Sequence, residues 1–468
     1  MFRIFHRFAA PPPRAADLSA FTSANGGLIS ELDLYSTPII DIIFWNQKRG
    51  NIPQRTIKTR DNMQSESCMK NKRSPMIFPA ECYQQSFRVS YDYPVYFTRN
   101  LFAPHNDLLA GVIDRLNEDR RHRIKVMLDS GVAEAAPELV HKIEQYMEKW
   151  SGCLKMEGPV DIVPGGEKIK SGWDSVKPIM TKMAESHLCR QSVVLAIGGG
   201  SVLDAVGLAA SLVHRGLRLI RIPTTVLAQD DAGVGVKNGV NEYGMKNFAG
   251  TFAPPFAILI DYQFLQTLPA KHWFGGIAEA FKVAIIKDRE FFDYLRSHAT
   301  DLRKRDNAAI ESTVRRCAIL HLDHIGANGD PFEFGTARPL DFGHWSAHRL
   351  ESMSGYEIGH GQAVSIGIAI DSFYASQIGL ITSKECDVIL NGLKKTGLPI
   401  WSDLLELTRP DGKLEILQGL DDFQEHLGGQ LNVTMPNGIG RKIEIHEMDR
   451  AIVEQSIVYL KDHSNRLQ

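Results

Sequence analysis

Residues 192–197, Ser-Val-Val-Leu-Ala-Ile, run straight into Gly198-Gly199-Gly200-Ser201, and this junction narrows the fold more than any other stretch. Five consecutive apolar residues without polar alternation read as a strand buried on both faces. The glycines then open a helix whose first N–H groups can approach a pyrophosphate at the positive helix end. Short apolar runs recur at residues 125–129, 160–163, 217–222 and 256–260, separated by helical stretches. Such alternation implies a parallel sheet covered by helices on both faces. Ligands of such sheets bind beyond the carboxyl ends of the strands. The glycines do not match Gly-x-Gly-x-x-Gly, so from the residues alone a tight turn and a phosphate cradle both stay open.

Beyond Pro269 the pattern turns helical, at residues 276–283, 308–324, 363–377 and 383–396. Glu279 and Lys282 stand at i, i+3, either as an exposed ion pair or on a helix that Gly276, Ala278 and Ala280 make narrow enough to pack around a site. His344 and His348 are four apart, the spacing that shares one helical face, and Gly355 and Gly359 let the chain return with His360. An isolated His-x-x-x-His is usually surface decoration. With Glu279 as a carboxylate ligand, the set has the composition of a catalytic zinc site with one open position. Between the two halves lies a polar block around Asp231, Lys237, Lys246 and Asn247. Lysines among glycines suit a phosphorylated substrate, or simply a solvated loop.

Length and charge bound the rest. At 468 residues the chain allows two or three domains. A net charge of -2 gives no argument for nucleic acid or an anionic membrane. Six scattered cysteines, without a Cys-x-x-Cys pair, suit a reducing compartment. No apolar run approaches the roughly 20 residues of a membrane span. Arg3, Arg7 and Arg14 precede Asp17, and residues 46–76 are polar and basic without period. Residues 1–85 are therefore expected to be a disordered or targeting extension of a cytoplasmic enzyme. The folded enzyme is expected to begin near Ser86.

These motifs together resemble the sugar phosphate cyclases, whose best-known members are the 3-dehydroquinate synthases. The resemblance runs in order from about Ser86 to the C-terminus. It is carried by Gly-Gly-Gly followed by Asp204, Pro223-Thr224-Thr225, Lys237, Lys246-Asn247, Ala278-Glu279-x-x-Lys282, Gly343-His344-x-x-x-His348 and His360-Gly361. It implies a Rossmann-like NAD-binding α/β domain (86–261) followed by an all-helical metal- and substrate-binding domain (262–468). Implied metal ligands, for zinc or cobalt, are Glu279, His344 and His360. NAD would lie over Gly199, Gly200 and Ser201, with Asp129, Glu167, Lys170, Asp204, Thr224, Thr225 and Thr267 around it. His348, Lys237, Lys282 and Asp231 would act on substrate, helped by Lys246 and Asn247. Arg215 would reach the phosphate in a neighbouring subunit, which implies a homodimer. The implied chemistry is transient oxidation by NAD, β-elimination of phosphate, return of the hydride and an aldol closure.

Departures from the family bear on substrate. Asp341 stands where 3-dehydroquinate synthases carry Asn, and Ala337 stands where they carry a carboxylate-binding Arg, with Arg338 displaced by one. His321, Asp323 and His324 replace the region of an expected Lys, and Gln424-Glu425 a Lys-Lys pair. Gln362 stands where Glu is usual, which puts the orientation of His360 in question. Cyclases acting on sedoheptulose 7-phosphate share an Asp like Asp341, so a neutral C7 ketose phosphate is favoured. The alternatives are a true 3-dehydroquinate synthase, a metal-dependent polyol dehydrogenase of related fold, which would not need the lysine cluster, and a non-catalytic relative.

Overall fold

The structure, a computed structural model, describes residues 85–87, 89–327, 332, 340–426 and 429–465. Arg338 and residues 1–84 of the expected extension lie outside the described residues.

Among the described residues, nine strands precede residue 262: β1 (Val95–Thr98), β2 (His122–Asp129), β3 (Leu154–Met156), β4 (Asp161–Val163), β5 (Val193–Gly198), β6 (Arg218–Pro223), β7 (Lys237–Glu242), β8 (Met245–Phe252) and β9 (Ala257–Asp261). Seven form one sheet in the order β1-β9-β6-β5-β2-β3, with β4 beside the second half of β2, and every pairing is parallel. β7 and β8 form a separate antiparallel hairpin. Helices α1 (Leu108–Ile113), α2 (Ser130–Ala135), α3 (Leu139–Lys149), α4 (Trp173–Glu185) and α5 (Gly200–Leu212) accompany these strands.

All six residues of β5 are buried because the strand has a core on each face. Val193, Leu195 and Ile197 pack with Ile143 and Tyr146 of α3, while Val194 and Ala196 pack with Val176 of α4 and Val202 and Val206 of α5. This two-sided burial explains the unbroken apolar run, each large side chain contributing about 1.5–3 kcal/mol. β3 and β4 leave β2 on one side and β5 joins it on the other. The chain thus reverses its order of travel between β2 and β5, which opens a crevice at their carboxyl ends.

The remaining helices are α6 (Ala270–Lys287), α7 (Arg289–Ser297), α8 (Ala299–Arg303), α9 (Asn307–Ala327), α10 (His344–Met353), α11 (His360–Gln377), α12 (Ser383–Thr396), α13 (Gln418–His426) and α14 (Arg450–Asn465). Among the described residues, the named strands of this otherwise mainly helical region form one antiparallel hairpin, β10 (Val433–Pro436) with β11 (Lys442–Ile445), turned through Gly438 and Gly440 at positive φ. α6 is buried along nearly its whole length, as its small residues suggested. A Cβ on Gly276 would lie 2.3 Å from the Leu227 N, and one on Gly361 of α11 would lie 2.0 Å from the Gly275 carbonyl oxygen. Only glycine permits these approaches, which bring α6 against both the end of β6 and α11.

Candidate active site

Glu279 lies mid-way along α6 and its carboxylate is fully buried. Its Oε1 stands 3.4 Å from His360 Nε2 and 3.9 Å from His344 Nε2, while Oε2 pairs with the Lys282 ammonium. Among the described residues, no hydrogen bond of ordinary geometry reaches either oxygen. Both imidazoles have their other nitrogen engaged: His344 Nδ1 lies 3.0 Å from the Phe342 carbonyl oxygen and His360 Nδ1 3.1 Å from Glu351 Oε2. Those bonds leave the two Nε2 atoms facing Glu279 with free lone pairs. The three ligand atoms lie within 4.8 Å of one another. Two ligands sharing a tetrahedral zinc at about 2.0–2.1 Å are roughly 3.4 Å apart, so the donor set fits one divalent cation.

The electrostatics agree with that fit. Burial and the nearby Lys282 ammonium depress His344 to about 4, which keeps it neutral. At His360 burial works downward too, but Glu279 and Glu351 outweigh it and raise the ring to about 9. Two carboxylates here draw positive charge into the pocket, and a dication can take the place of the proton.

The frame behind the histidines is specific. Gly343, at φ 77, donates its N–H to Asp371 Oδ2 at 2.9 Å, and Trp345 Nε1 donates to Asp371 Oδ1 at 2.8 Å. A Cβ on Gly367 of α11 would fall 2.0 Å from the Gly343 carbonyl oxygen. Asp371 thus clamps the start of α10 on α11, so His344 and His360 meet with ring centroids 5.5 Å apart. Gly355 supplies the expected left-handed turn at φ 59. Gly359 is extended instead, at φ -71 and ψ 152, and leads directly into α11.

The glycine cradle lies at the switch point. Gly198, Gly199 and Gly200 all have ordinary negative φ, so turn geometry does not require them. Space does: Cβ atoms there would meet Val202 at 2.9 Å, Thr225 at 3.3 Å and Ala232 at 3.2 Å. α5 begins with no side-chain cap and no acid in its first turn. Its first N–H groups are left for an anion. Asp129 ends β2 beside this turn, and Thr224 Oγ1 is buried with no hydrogen-bond partner among the described residues. These features fit a dinucleotide.

Residues 160–274 match the family described as 3-dehydroquinate synthase N-terminal, and residues 276–416 that described as 3-dehydroquinate synthase C-terminal. This chain belongs to the 3-dehydroquinate synthase family of sugar phosphate cyclases. Within that family it is 31% identical over 371 residues to a 2-epi-5-epi-valiolone synthase of Streptomyces glaucescens, covering 76% of this chain and 87% of that one. It is 34% identical over 300 residues to a 3-dehydroquinate synthase of a Sulfurovum species, covering 62% and 80%. Among solved structures it resembles ValA, the 2-epi-5-epi-valiolone synthase of Streptomyces hygroscopicus with NAD+ and Zn2+ bound. That likeness has a TM-score of 0.72 at 29% identity, over 81% of this chain and 100% of that one.

The family's site positions fall into three groups in this cyclase. Lys282 is buried between Glu279 and Asp231, whose Oδ2 lies 3.5 Å from the ammonium. Asp231 sits on a π turn at Ala228–Ala232, and its Oδ1 is 3.0 Å from Nδ1 of His321, one of the residues replacing the expected lysine. Lys246, on β8, reaches Glu351 Oε1 at 2.7 Å and Glu167 Oε1 at 3.8 Å, and Ser201 donates to Glu167 Oε2 at 3.0 Å. A polar chain therefore runs from the first turn of α5 to His360. Lys170 is buried and pairs with Asp204 Oδ2 at 2.8 Å and with the Asn247 side chain. The half-buried Asp341 adds its charge to the field at Lys282.

Other positions stand apart. His348 is exposed at the rim, its ring 5.5 Å from that of His344 and 6.1 Å from that of His360. Lys237 is exposed at the start of β7, Thr267 at the end of a 3-10 turn, and Arg215 beyond the far end of α5. Asp323 is exposed and His324 half-buried on α9, and Gln424 of α13 donates to the Gly429 carbonyl. Gln362 does not orient His360. It accepts from the Gly359 N–H at 3.2 Å at the start of α11, and Glu351 holds the imidazole instead.

Two contributors escape sequence reading. Glu351 looks like any acid on a helix face until α11 and β8 are folded against it. Arg221 sits inside an apolar strand, fully buried, and donates to the carbonyls of Gly235 and Lys237 at 2.8 and 2.7 Å and to Asn238 Oδ1 at 2.7 Å. It holds the π turn and β7 in register with the end of β6. The set His348, Glu351 and His360 also offers clustered donors. The Lys246 ammonium against Glu351 disfavours a cation there, so one metal position, at Glu279, is the better reading.

Proposed function

We propose that this chain is an NAD- and divalent-metal-dependent cyclase that converts a C7 ketose phosphate of the sedoheptulose 7-phosphate class into a carbocycle with loss of phosphate. The observation that carries this reading is the Glu279, His344 and His360 donor set facing Lys282, joined by the polar chain to the glycine cradle. In this reading residues 86–261 hold the cofactor and residues 262–468 the metal and most of the substrate. Bound NAD would take up and return a hydride, while the cation, zinc or cobalt, would acidify a ring hydroxyl and polarise a carbonyl.

The chain's own residues supply the rest. The bare N–H groups at Gly199 to Ser201 hold the dinucleotide phosphates. Lys237 and Lys246 neutralise the phosphate of the substrate and Asn247 hydrogen-bonds it, with Arg215 contributed across a homodimer. Asp231 and Glu279 hold the Lys282 ammonium in one place, so that its charge faces the substrate oxygens. His348, at the rim beside the two histidine ligands, has its ring lowered to about 3 by desolvation and by His344 and His360, so it meets the substrate phosphate as a neutral hydrogen-bond donor. The hydride taken up in the first step is returned, so the net redox change is zero.

Gly200→Val tests the cradle. With the Cβ at 3.2 Å from Ala232, the two further carbons either displace the π turn or fill the phosphate position. A cost of roughly 1–3 kcal/mol raises the NAD dissociation constant about 5- to 150-fold. Calorimetric NAD affinity equal to wild type would mean the glycines serve packing alone.

Asp341 bears on the choice of substrate. A carboxylate about 4 Å from another repels by roughly 4 kcal/mol at an effective dielectric near 20. A quarter of that, about 1 kcal/mol, shifts preference around fivefold. Sedoheptulose 7-phosphate is therefore expected to give the higher kcat/KM, at least about fivefold over the acidic heptulosonate 7-phosphate. The reverse order would make this a true 3-dehydroquinate synthase. Phosphate release without net NADH separates either cyclase from a polyol dehydrogenase.

A further inference from the structure

Glu351 sits on α10, three residues after His348, and is 3% exposed. Each of its oxygens has a different partner on a different element. Oε2 faces His360 Nδ1 at 3.1 Å, at the start of α11, and Oε1 faces Lys246 Nζ at 2.7 Å, on β8. Lys246 also lies 5.8 Å from the Tyr356 ring and 3.8 Å from Glu167, so no single contact but this one is short.

We propose that Glu351 is the positioning residue that ties the metal site to the β7–β8 hairpin. One oxygen fixes His360 with Nδ1 protonated and Nε2 turned toward Glu279, and the other anchors the Lys246 ammonium beside it. The inference rests on the metal reading of Glu279, His344 and His360. It adds that a carboxylate touching neither metal nor substrate sets both the metal affinity and the place of a substrate lysine. A histidine ligand is generally oriented by a hydrogen bond at its second nitrogen, whose loss typically weakens metal binding 10- to 100-fold. Here the oxygen left over is also engaged, which makes the hairpin and the metal site depend on one side chain.

Glu351→Gln separates the two roles from simple packing, because it keeps shape and removes one acceptor. If its amide N–H₂ faces His360, Nδ1 must accept, and the ring proton moves to Nε2, where it blocks coordination. If the amide faces Lys246, two donors oppose each other and the lysine is released. Either way one partner loses its anchor.

The experiment uses the full chain, stripped of metal with a chelator and titrated with Co(II), the d–d absorption reporting ligand geometry. Wild type is expected to bind one Co(II). Glu351→Gln is expected to raise the Co(II) dissociation constant at least tenfold and change the d–d band where its amide N–H₂ faces His360, and to raise KM for the phosphorylated substrate where the amide faces Lys246. Lys246→Met is expected to raise KM while leaving the Co(II) dissociation constant within about threefold, since water can reach the freed oxygen. A folded Glu351→Gln protein with wild-type Co(II) affinity, spectrum and KM overturns the proposal and leaves the metal reading standing. Failure of the wild type to bind Co(II) overturns the metal reading itself, and this proposal with it. Should the Gln variant not fold, Glu351→Asp withdraws the carboxylate by one carbon. At least threefold weaker Co(II) binding then supports the role, and unchanged binding overturns it.

Discussion

Replacing His344 with alanine is expected to remove the bound divalent cation and turnover together. Four-ligand zinc sites bind with about 10–16 kcal/mol, so one ligand is worth roughly 3 kcal/mol, a loss of at least a hundredfold in affinity. Glu279 and His360 alone would leave two of four tetrahedral positions to solvent. The fold should survive the change. α10 is held to α11 by Asp371 through Gly343 and Trp345, and the imidazole takes no part in that clamp. His348→Ala is the matching control: its ring lies at the rim, outside the Glu279 donor set, so metal stays bound while the rate falls. Metal content by atomic absorption decides between them. A His344→Ala protein that keeps one equivalent of zinc would move the site away from Glu279.

The two halves of this site were unequally legible in the sequence. The sheet could be read because β5 is buried on both faces, and such a strand has nowhere to put a polar side chain. The histidines could be read because i, i+4 spacing states a helix face and Gly355 a reversal. Other parts could not. β10 and β11 have four residues each and lie among helices, too short for a period to show. Gly359 looked like a turn and proved to be the extended residue that leads into α11, which the presence of a glycine does not announce. Gln362 looked like a threat to His360, but the end of a helix offers a side chain at its third position a backbone N–H to accept from. Glu351 carries no local signal at all. Its role exists only once α10, α11 and β8 have converged, and long-range convergence of that kind is invisible to spacing.

The same convergence governs Lys282, where the largest effect on stability is expected. Its ammonium is buried between Glu279 and Asp231, with Asp341 adding to the field. Burial alone would lower the Lys282 pKa, but the carboxylates raise it above the usual lysine range. The neighbouring Asp230 is fully buried, and burial with the adjacent carboxylates pushes its pKa well above the usual range, so it adds no competing charge. Lys282→Met keeps the stem and removes the charge. Glu279 is then left fully buried without the ammonium, and the half-buried Asp231 keeps His321 beside it. Removing one partner of a buried ion pair costs about 3–5 kcal/mol, a large fraction of the stability of most folds.

The pH dependence follows from the signs. A raised lysine pKa contributes in full below the ordinary lysine value and is lost only as pH rises through the folded one. Glu279, held at about 2, and Asp231, also lowered, contribute above their ordinary values and lose that contribution as pH falls. The difference between wild type and Lys282→Met should therefore stay constant from about pH 6 to pH 9 and narrow as pH falls from about 4.5 toward about 2. Divalent metal should restore part of the loss in the variant, because a cation at Glu279 returns positive charge to the same pocket. Urea unfolding across that pH range, with and without zinc, measures all three terms. A variant that unfolds at the wild-type midpoint near pH 7 would show that the ammonium contributes nothing to holding α6 against the π turn, and that its burial serves the chemistry alone.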